Sequence, residues 1–319
     1  MTRSMRQTAI TAELEETYGV GATSWSAASI ILCSQPAHRV LRGTTPRQIW
    51  YPHMGASEEL VASRVAEIKF TVELAGSGTA GTAPPWGKLL RACGYAETIT
   101  AATRVEYSPV STGFESLTIR YFRAGMRYVS RGARGSVQFK LPAFGIPQAE
   151  FTFLGFDTQA WDGAALGSYD LTAWKRPDVL TDEFAGDIRF GCTFATGAVT
   201  GGTIMASRGL EINGGQKVEH MELLGGERIS ITDRETTGQT SVAVSAADEV
   251  AWRTDINANS LTTLGFNWGA VAGNRGTIWC PAVQRVEPQQ EDYKGDLLIQ
   301  TQLRMLPKLG NDDMILVVR

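Results

Sequence analysis

The sequence predicts an all-β fold with short flanking helices, arranged as a tandem pair of β-sandwich or barrel domains. Three observations predict it. Residues 67–74, EIKFTVEL, alternate strictly between apolar and polar side chains, which is the period of a strand with one buried face. Turn residues recur at roughly eight- to twelve-residue spacing through 104–155, the rhythm of a sandwich or barrel. The second half then repeats the order of elements of the first, with one helix in the same slot. A chain of 319 residues, 43% hydrophobic and 20% charged, can bury one large core or two smaller ones.

Residues 1–29 are polar and rich in small residues, with Gly19, Gly21 and SWSAAS leading to a first strand at 30–33. They read as an N-terminal arm that orders against a neighbouring subunit, or as a simple frayed terminus. Residues 39–66 hold two prolines and two glycines and read as a long excursion between strands. Trp50 and Tyr51 lie inside it, either marking an interface or folding back onto their own core. After the 67–74 strand comes the loop AGSGTAGTA, then Pro84 and Pro85, the latter suited to a first helical turn. Trp86, Leu89, Leu90 and Cys93 form an i, i+3, i+4, i+7 stripe, and Gly94 stops the helix. So short a helix needs tertiary support and is expected to plug an open side of a sheet. Further strands are expected at 104–107, at 116–122 and 126–129 around the turn Arg123-Ala124-Gly125, and at 135–141 and 150–155.

Residues 157–187, with Asp157, Trp161, Asp162, Gly163, Gly167, Pro177 and Asp178, break every pattern and mark a boundary. The expected division is an arm at 1–29, a β domain at 30–157, a linker at 158–187 and a second β domain at 188–319. In the second half 204–220 stands for 30–39, 239–244 for 67–74, the helix 246–256 for 84–94, 260–267 for 116–122, 276–283 for 135–144, and 295–306 for 147–154. Residues 222–235 take the place of the first excursion, and 314–318 form a last strand after a turn at Asp312-Asp313. Identity between the halves is very low, so a single large sandwich is the competing architecture.

Little in the chain points to chemistry. The three histidines, His38, His53 and His220, form no metal-ligand spacing, and Cys33, Cys93, Cys192 and Cys280 are far apart, so no metal site or cofactor is expected. The cysteines read as buried thiols of a reducing cytoplasm. Gly76-Ser77-Gly78 precedes a helix but lacks the Gly-Lys-Ser/Thr ending of a phosphate loop. No nucleophile elbow is present, and adjacent acids such as Glu58-Glu59 point to opposite faces of a strand. An enzyme is therefore not expected. The net charge of −3 argues against a dedicated nucleic-acid binder. No run of eighteen apolar residues offers a membrane span, and the first ten residues lack the apolar core of a signal peptide.

Residues 67–97 resemble the major tail tube proteins of long-tailed, non-contractile (siphovirus-type) bacteriophages. The likeness rests on Glu73-Leu74, the loop 76–84 with Gly76, Ser77, Gly78 and Pro84, the helix 86–94 with Trp86, Leu89, Leu90 and Gly94, and Tyr95-Ala96-Glu97. Weaker likeness continues through 107–109, 113–118, 132–139, 146–155, 230–233 and 307–318. The resemblance implies tail-tube-like β-sandwich or barrel domains that join sheets between neighbours into rings around a channel. It implies rings that stack through the arm and long loops, with Tyr18, Trp25, Trp50 and Tyr51 as possible stacking contacts. It also implies other tail proteins as partners, and genomic DNA that passes through the lumen without specific binding. The protein would be made in the host cytoplasm and reside in the virion tail. Two domains per chain would make a trimer a pseudo-sixfold ring. The exposed faces within 116–138 and their counterparts are the expected lumen positions. Arg120, Arg123, Arg127, Arg131 and Arg134 fall there, and are expected either to pair with acids of a neighbouring domain or to lie on ring–ring faces. Competing readings are another β-rich virion part, such as a distal tail or decoration protein, and a carbohydrate-binding β-sandwich.

Overall fold

The computed structural model describes residues 7–158, 162–182 and 185–319, with the side chains of 185–187 left undescribed. Residues 1–6 of the expected arm and Trp161 of the connection lie outside the described residues. The first half contains β1 (Thr8–Leu14), β2 (Ile30–Ile31), β3 (Ser34–Pro46), β4 (Glu59–Glu73), α1 (Gly87–Ala92), β5 (Tyr95–Thr100), β6 (Arg104–Pro109), β7 (Leu117–Arg123), β8 (Met126–Pro142) and β9 (Gln148–Asp157). The second half contains β10 (Ala185–Phe190), β11 (Thr193–Ala195), β12 (Ala198–Thr200), β13 (Thr203–Met205), β14 (Ser207–Asn213), β15 (Gln216–Met221), β16 (Arg228–Arg234) and β17 (Thr237–Val242). It continues with α2 (Ala246–Asn257), β18 (Leu261–Trp268), β19 (Gly276–Tyr293), β20 (Asp296–Met305) and β21 (Ile315–Val318). The fold is all-β with short helices.

Strand pairing follows one order twice. In the first half the antiparallel neighbours run β2-β1-β7-β8-β9-β4-β3. In the second they run β13-β10-β18-β19-β20-β17-β14. The segments aligned from sequence occupy corresponding places in these two series. The halves are fused where the end of β8 pairs with β14, Leu141 opposite Leu210 and Phe139 opposite Ile212. They are tied again by β21, which pairs with both β19 and β6. One sheet therefore runs β3-β4-β9-β8-β14-β17-β20-β19, and the remaining strands of each half fold over one face of it.

Between the layers lies a continuous apolar core. Ile68, Phe70, Val72, Phe139, Phe151 and Phe153 project inward in the first half, and Ile212, Val242, Ile278 and Leu303 in the second. The Phe70, Phe151 and Phe153 rings pack with centroids 5.8–5.9 Å apart. The four cysteines are free thiols, three of them buried; Cys33 is half-buried, and desolvation pushes its thiol up to about 12.

Two segments differ from the sequence-based expectation. Residues 8–14, read as part of an arm, form an integral strand: β1 pairs along its whole length with β7 and contributes the fully buried Ile10 and Ala12. Small and polar residues around those two hide the alternation. Residues 39–66 are not an irregular excursion but mostly the two limbs of the long β3–β4 hairpin. A register shift at Gly43–Thr44 accommodates the breaker residues.

Because β1 is part of the core, Ile10→Ala is expected to lower the unfolding free energy by about 2–5 kcal/mol. Urea denaturation followed by circular dichroism checks this; an unchanged midpoint contradicts the packing of β1.

Candidate assembly surfaces

The outward face of the long sheet is polar from one edge to the other. One cross-strand row reads Thr71, Glu150, Gln138, Asn213, Thr237, Arg304, Gln284. The next outward row reads Glu73, Gln148, Lys140, Glu211, Gln239, Gln302, Val286. The row between them points inward and is mainly apolar: Val72, Ala149, Phe139, Ile212, Gly238, Leu303, Arg285. This is the two-residue period of a sheet with one wet face. Part of the wet face is concave, a hollow of about 560 Å³ lined by Gln138, Glu211, Asn213, Gln239, Gln302 and Arg304, among others. Of the 116–138 stretch expected to bear exposed lumen positions, β7 belongs to the other layer, while Ser136 and Gln138 project from this face.

Lys69, Lys140 and Arg304 on this face have carboxylate partners within the chain. Glu150 bridges Lys140 at 2.7 Å and Lys69 from the other side. Hydrogen bonds from Lys140 and then Lys69 hold the Glu150 carboxyl below the usual range. Arg304 pairs with Glu235, and Gln239 donates to Glu211 at 3.0 Å. The face offers many amides and hydroxyls but little unbalanced positive charge.

Both ends of the sheet are open edges. Among the described residues β3 pairs with β4 alone, and past Gln284 β19 pairs with β20 alone. An unpaired edge leaves backbone N–H and C=O groups for another chain to meet. The signs of the edges are opposite: β3 carries Arg39 and Arg42, and the open length of β19 carries Glu287 and Asp292, with Glu291 already paired to Arg208.

The loop and helix singled out from the sequence serve packing. Gly76 N–H donates to Asn274 Oδ1 at 2.8 Å, and Gly78 N–H to the Gly273 carbonyl at 3.0 Å. A Cβ at Gly76 would collide with the Gly273 backbone, and one at Gly273 with the backbone of Gly78 and Thr79. These glycines permit close approach between the halves, and their amides are already bonded rather than free for a phosphate. Ser77 bonds locally to the Thr79 carbonyl. The Pro84 carbonyl accepts from Gly87 N–H as the chain enters α1. Trp86, Leu89, Leu90 and Cys93 are all buried, and Trp86 Nε1 donates to the Ala75 carbonyl at 2.8 Å. Gly94 ends the helix at φ +81°. Lys88–Glu13 and Arg91–Glu115 fasten the polar side of α1. In the second half, Trp252 anchors α2 beneath Arg285, which is held by Asp255 at 2.7 Å.

Trp50 is 97% exposed and Tyr51 44%, at the tip of the β3–β4 hairpin. Ile49 and Met54 are exposed beside them. Tyr18 and Trp25 are instead engaged within the chain. The Tyr18 hydroxyl accepts from Ile229 N–H at 2.6 Å beneath Arg134, and Trp25 stacks under Arg120 at 3.5 Å. The arginine cluster differs from expectation in the same way. Arg127 pairs with Asp162, Arg123 donates to the Pro36 carbonyl, and Arg134 donates to the carbonyls of Phe114, Glu115 and Ile229. The Asp162 carboxylate, backbone carbonyls and aromatic faces engage these guanidiniums, partners that residue spacing does not reveal. Sequence reasoning also missed the polar rows, because each is assembled from seven separate strands.

Among the described residues no group of three or more His, Cys, Asp or Glu is placed to hold a metal ion, and no helix is long and apolar enough to cross a membrane. A family model described as phage tail tube protein matches residues 5–313. No match was found among curated proteins.

Trp86→Ala is expected to lose about 3–5 kcal/mol of stability by opening a cavity under α1. Gly76→Ala is expected to lose about 1–3 kcal/mol through overpacking against Gly273, while Gly226→Ala, which faces open space, leaves the midpoint unchanged. Equal midpoints for Gly76→Ala and Gly226→Ala in chemical denaturation contradict the close approach.

Proposed function

The chain belongs to the phage tail tube protein family, and on that premise we propose that three copies close into a pseudo-sixfold ring whose polar sheet faces line a channel for DNA. As a member of that family it is a structural subunit of the tail tube and a component of the virion tail. The observation that carries the ring is the doubled pairing order. Two similar seven-strand units, joined through β8 and β14, support the reading of a tandem duplication, with the first unit starting at β1 rather than at residue 30 and the second at β10. The β8–β14 ladder is the pattern for the contact between copies: the open length of β19 meets β3 of the next chain. Strand directions alternate across the eight strands, so this contact is antiparallel, as β8–β14 is. Basic β3 and acidic β19 favour the contact electrostatically. Eight strands from each of three copies then close with no edge left exposed.

The concave polar face lines the channel in this arrangement. DNA adheres to protein chiefly through cations that release counterions from phosphate. Lys69 and Lys140 share Glu150, Arg304 pairs with Glu235, and Glu73 and Glu211 add negative charge to the same face, so the wall wets the DNA without gripping it. The likeness of 67–97 to proteins of long-tailed, non-contractile phages supports a tail of that type. Stacked rings would carry the genome from capsid to host, alongside other tail proteins. No observation here favours the decoration, distal-tail or glycan-binding readings.

Two outcomes test this account. Arg39→Glu with Arg42→Glu reverses the sign of the β3 edge; the expected result in sedimentation velocity is folded single chains with an unchanged melting temperature, where the unaltered protein sediments as rings or tubes. Glu150→Gln leaves Lys69 and Lys140 without their shared partner. Assembled tubes of this variant are expected to retain short DNA fragments at low salt and release them as salt rises. Equal retention by both proteins contradicts the proposed role of Glu150.

A further inference from the structure

Arg42 and Arg64 lie directly opposite each other on β3 and β4, and both are exposed. Among the described residues neither has a hydrogen-bond or ion-pair partner. The other arginines of the limb are better placed: Arg39 lies opposite Glu67, and Arg47 pairs with Glu58. Like charges directly opposite on neighbouring strands repel, so Arg42 and Arg64 weaken the limb of an isolated chain. A group from outside the chain that receives both guanidiniums removes that cost.

The second half shows how this fold satisfies an arginine at that place. Val242 and Val244 stand where Val72 and Leu74 do, at the end of the strand that leads to the helix, which puts Arg234 of β16 in the place of Arg64. Arg234 reaches across to the first half, donating to the Val110 carbonyl at 3.0 Å. It also pairs with Asp313 at 2.9 Å and meets Asn311 Oδ1 at 3.5 Å. One guanidinium is thus held by a carboxylate, a backbone carbonyl and an amide oxygen.

The same kinds of acceptor lie at the C-terminal end of α2, which runs along the open length of β19. Glu249 accepts from Gln290 Nε2 at 3.3 Å, Asp255 from Arg285 at 2.7 Å, and Asn259 from Gln284 Nε2 at 3.4 Å. The last turn of α2 contains Asp255 and Asn257 and no basic residue. The Asp255 side chain is 48% exposed and uses only Oδ2 on Arg285 among the described residues. A helix end also leaves carbonyls short of donors and carries a partial negative charge. The β8–β14 ladder sets the start of one strand against the end of its partner, with Gly209 opposite Pro142. The same sense on β19 sets Ser34 of the next copy beside Tyr293 and brings its Arg42 level with Arg285, next to Asp255.

We propose that the Arg42–Arg64 pair of each copy seats on the C-terminal end of α2 in the neighbouring copy of the same ring, where Asp255, Asn257 and the helix carbonyls receive the guanidiniums. The inference rests on the ring reading above and names side chains that select β19 as the partner of β3. The arginine pair repels itself in the single chain and is satisfied in the ring, so it favours closure over the lone subunit. A heterologous contact of this kind closes by rotation and returns to its first member.

The test uses the full chain. Arg64→Glu is expected to raise the concentration needed for assembly by about tenfold, read by sedimentation velocity, with a melting temperature no lower than that of the unaltered protein. Asn257→Arg puts a cation at the same end of α2 and leaves the Asp255–Arg285 pair in place. Alone it is expected to impair assembly; combined with Arg64→Glu it is expected to restore it. Arg64→Cys with Asn257→Cys is expected to cross-link under mild oxidation into species ending at three chains, where either substitution alone does not. A contact between stacked rings would instead give a ladder without that limit, and overturns the proposal. Arg64→Glu tubes that form at the unaltered concentration overturn this contact and leave the ring reading standing. So does a loss of assembly that Asn257→Arg fails to restore, with no cross-link in the double cysteine variant. Unchanged assembly with weaker retention of short DNA fragments assigns the arginines to phosphate instead. If the unaltered protein never forms rings of three chains, the ring reading fails and this inference with it.

Discussion

The ladder between the end of β8 and β14 is the constraint on which the rest depends. It joins the strands of the two halves into one uninterrupted sheet, with Phe139 and Leu141 buried against Ile212 and Leu210 beneath it. A sheet that continues across a domain junction must also stop somewhere, and here it stops at β3 and at the far length of β19 with backbone groups unpaired. Proteins that keep such edges open either shield them or use them. The internal junction shows that this chain already solves the same pairing once within itself, which is why the proposed contact between copies needs no new geometry.

A second consequence concerns the two faces. Alternation along each strand is local, but the rows formed across strands are collective: an amide- and hydroxyl-rich row outside, an aliphatic and aromatic row inside. The outer surface solves a problem distinct from affinity. Glutamine, asparagine and threonine hydrogen-bond readily to water and to any passing polymer, while Glu150 cancels one of the two lysine charges it bridges and Glu73 and Glu211 on the same face offset the rest, leaving little net positive charge to hold phosphate. Stability comes from the inner row and from α1, whose Trp86 fills the end of the first core. Features that hold the subunit together and the polar features proposed to face the channel therefore sit on opposite sides of the same strands.

Much of this was legible in the sequence where the signal is local. EIKFTVEL announced β4, the Trp86–Leu89–Leu90–Cys93 stripe announced α1, and the turn at Ala124-Gly125 announced the β7–β8 hairpin. β1 was not legible, because only Ile10 and Ala12 are fully buried among small polar neighbours. The β3–β4 hairpin was obscured by Pro46 and Gly43, which a two-stranded limb tolerates and a central strand does not. The close approach of Gly76 and Gly78 to Gly273 joins residues nearly two hundred positions apart. Pattern can show that such a loop is glycine-rich; only the fold shows what it approaches. The same holds for the arginines at 120–134, whose partners, the Asp162 carboxylate, backbone carbonyls and rings, come in from other segments.

The most direct test of the central claim is an electron cryomicroscopy reconstruction of the assembled tube. The account predicts three chains per ring, with the open length of β19 hydrogen-bonded antiparallel to β3 of the neighbouring chain and the Gln138–Gln302 face turned to the lumen. Six chains per ring, or a ring in which the β3 edge faces solvent, would contradict it.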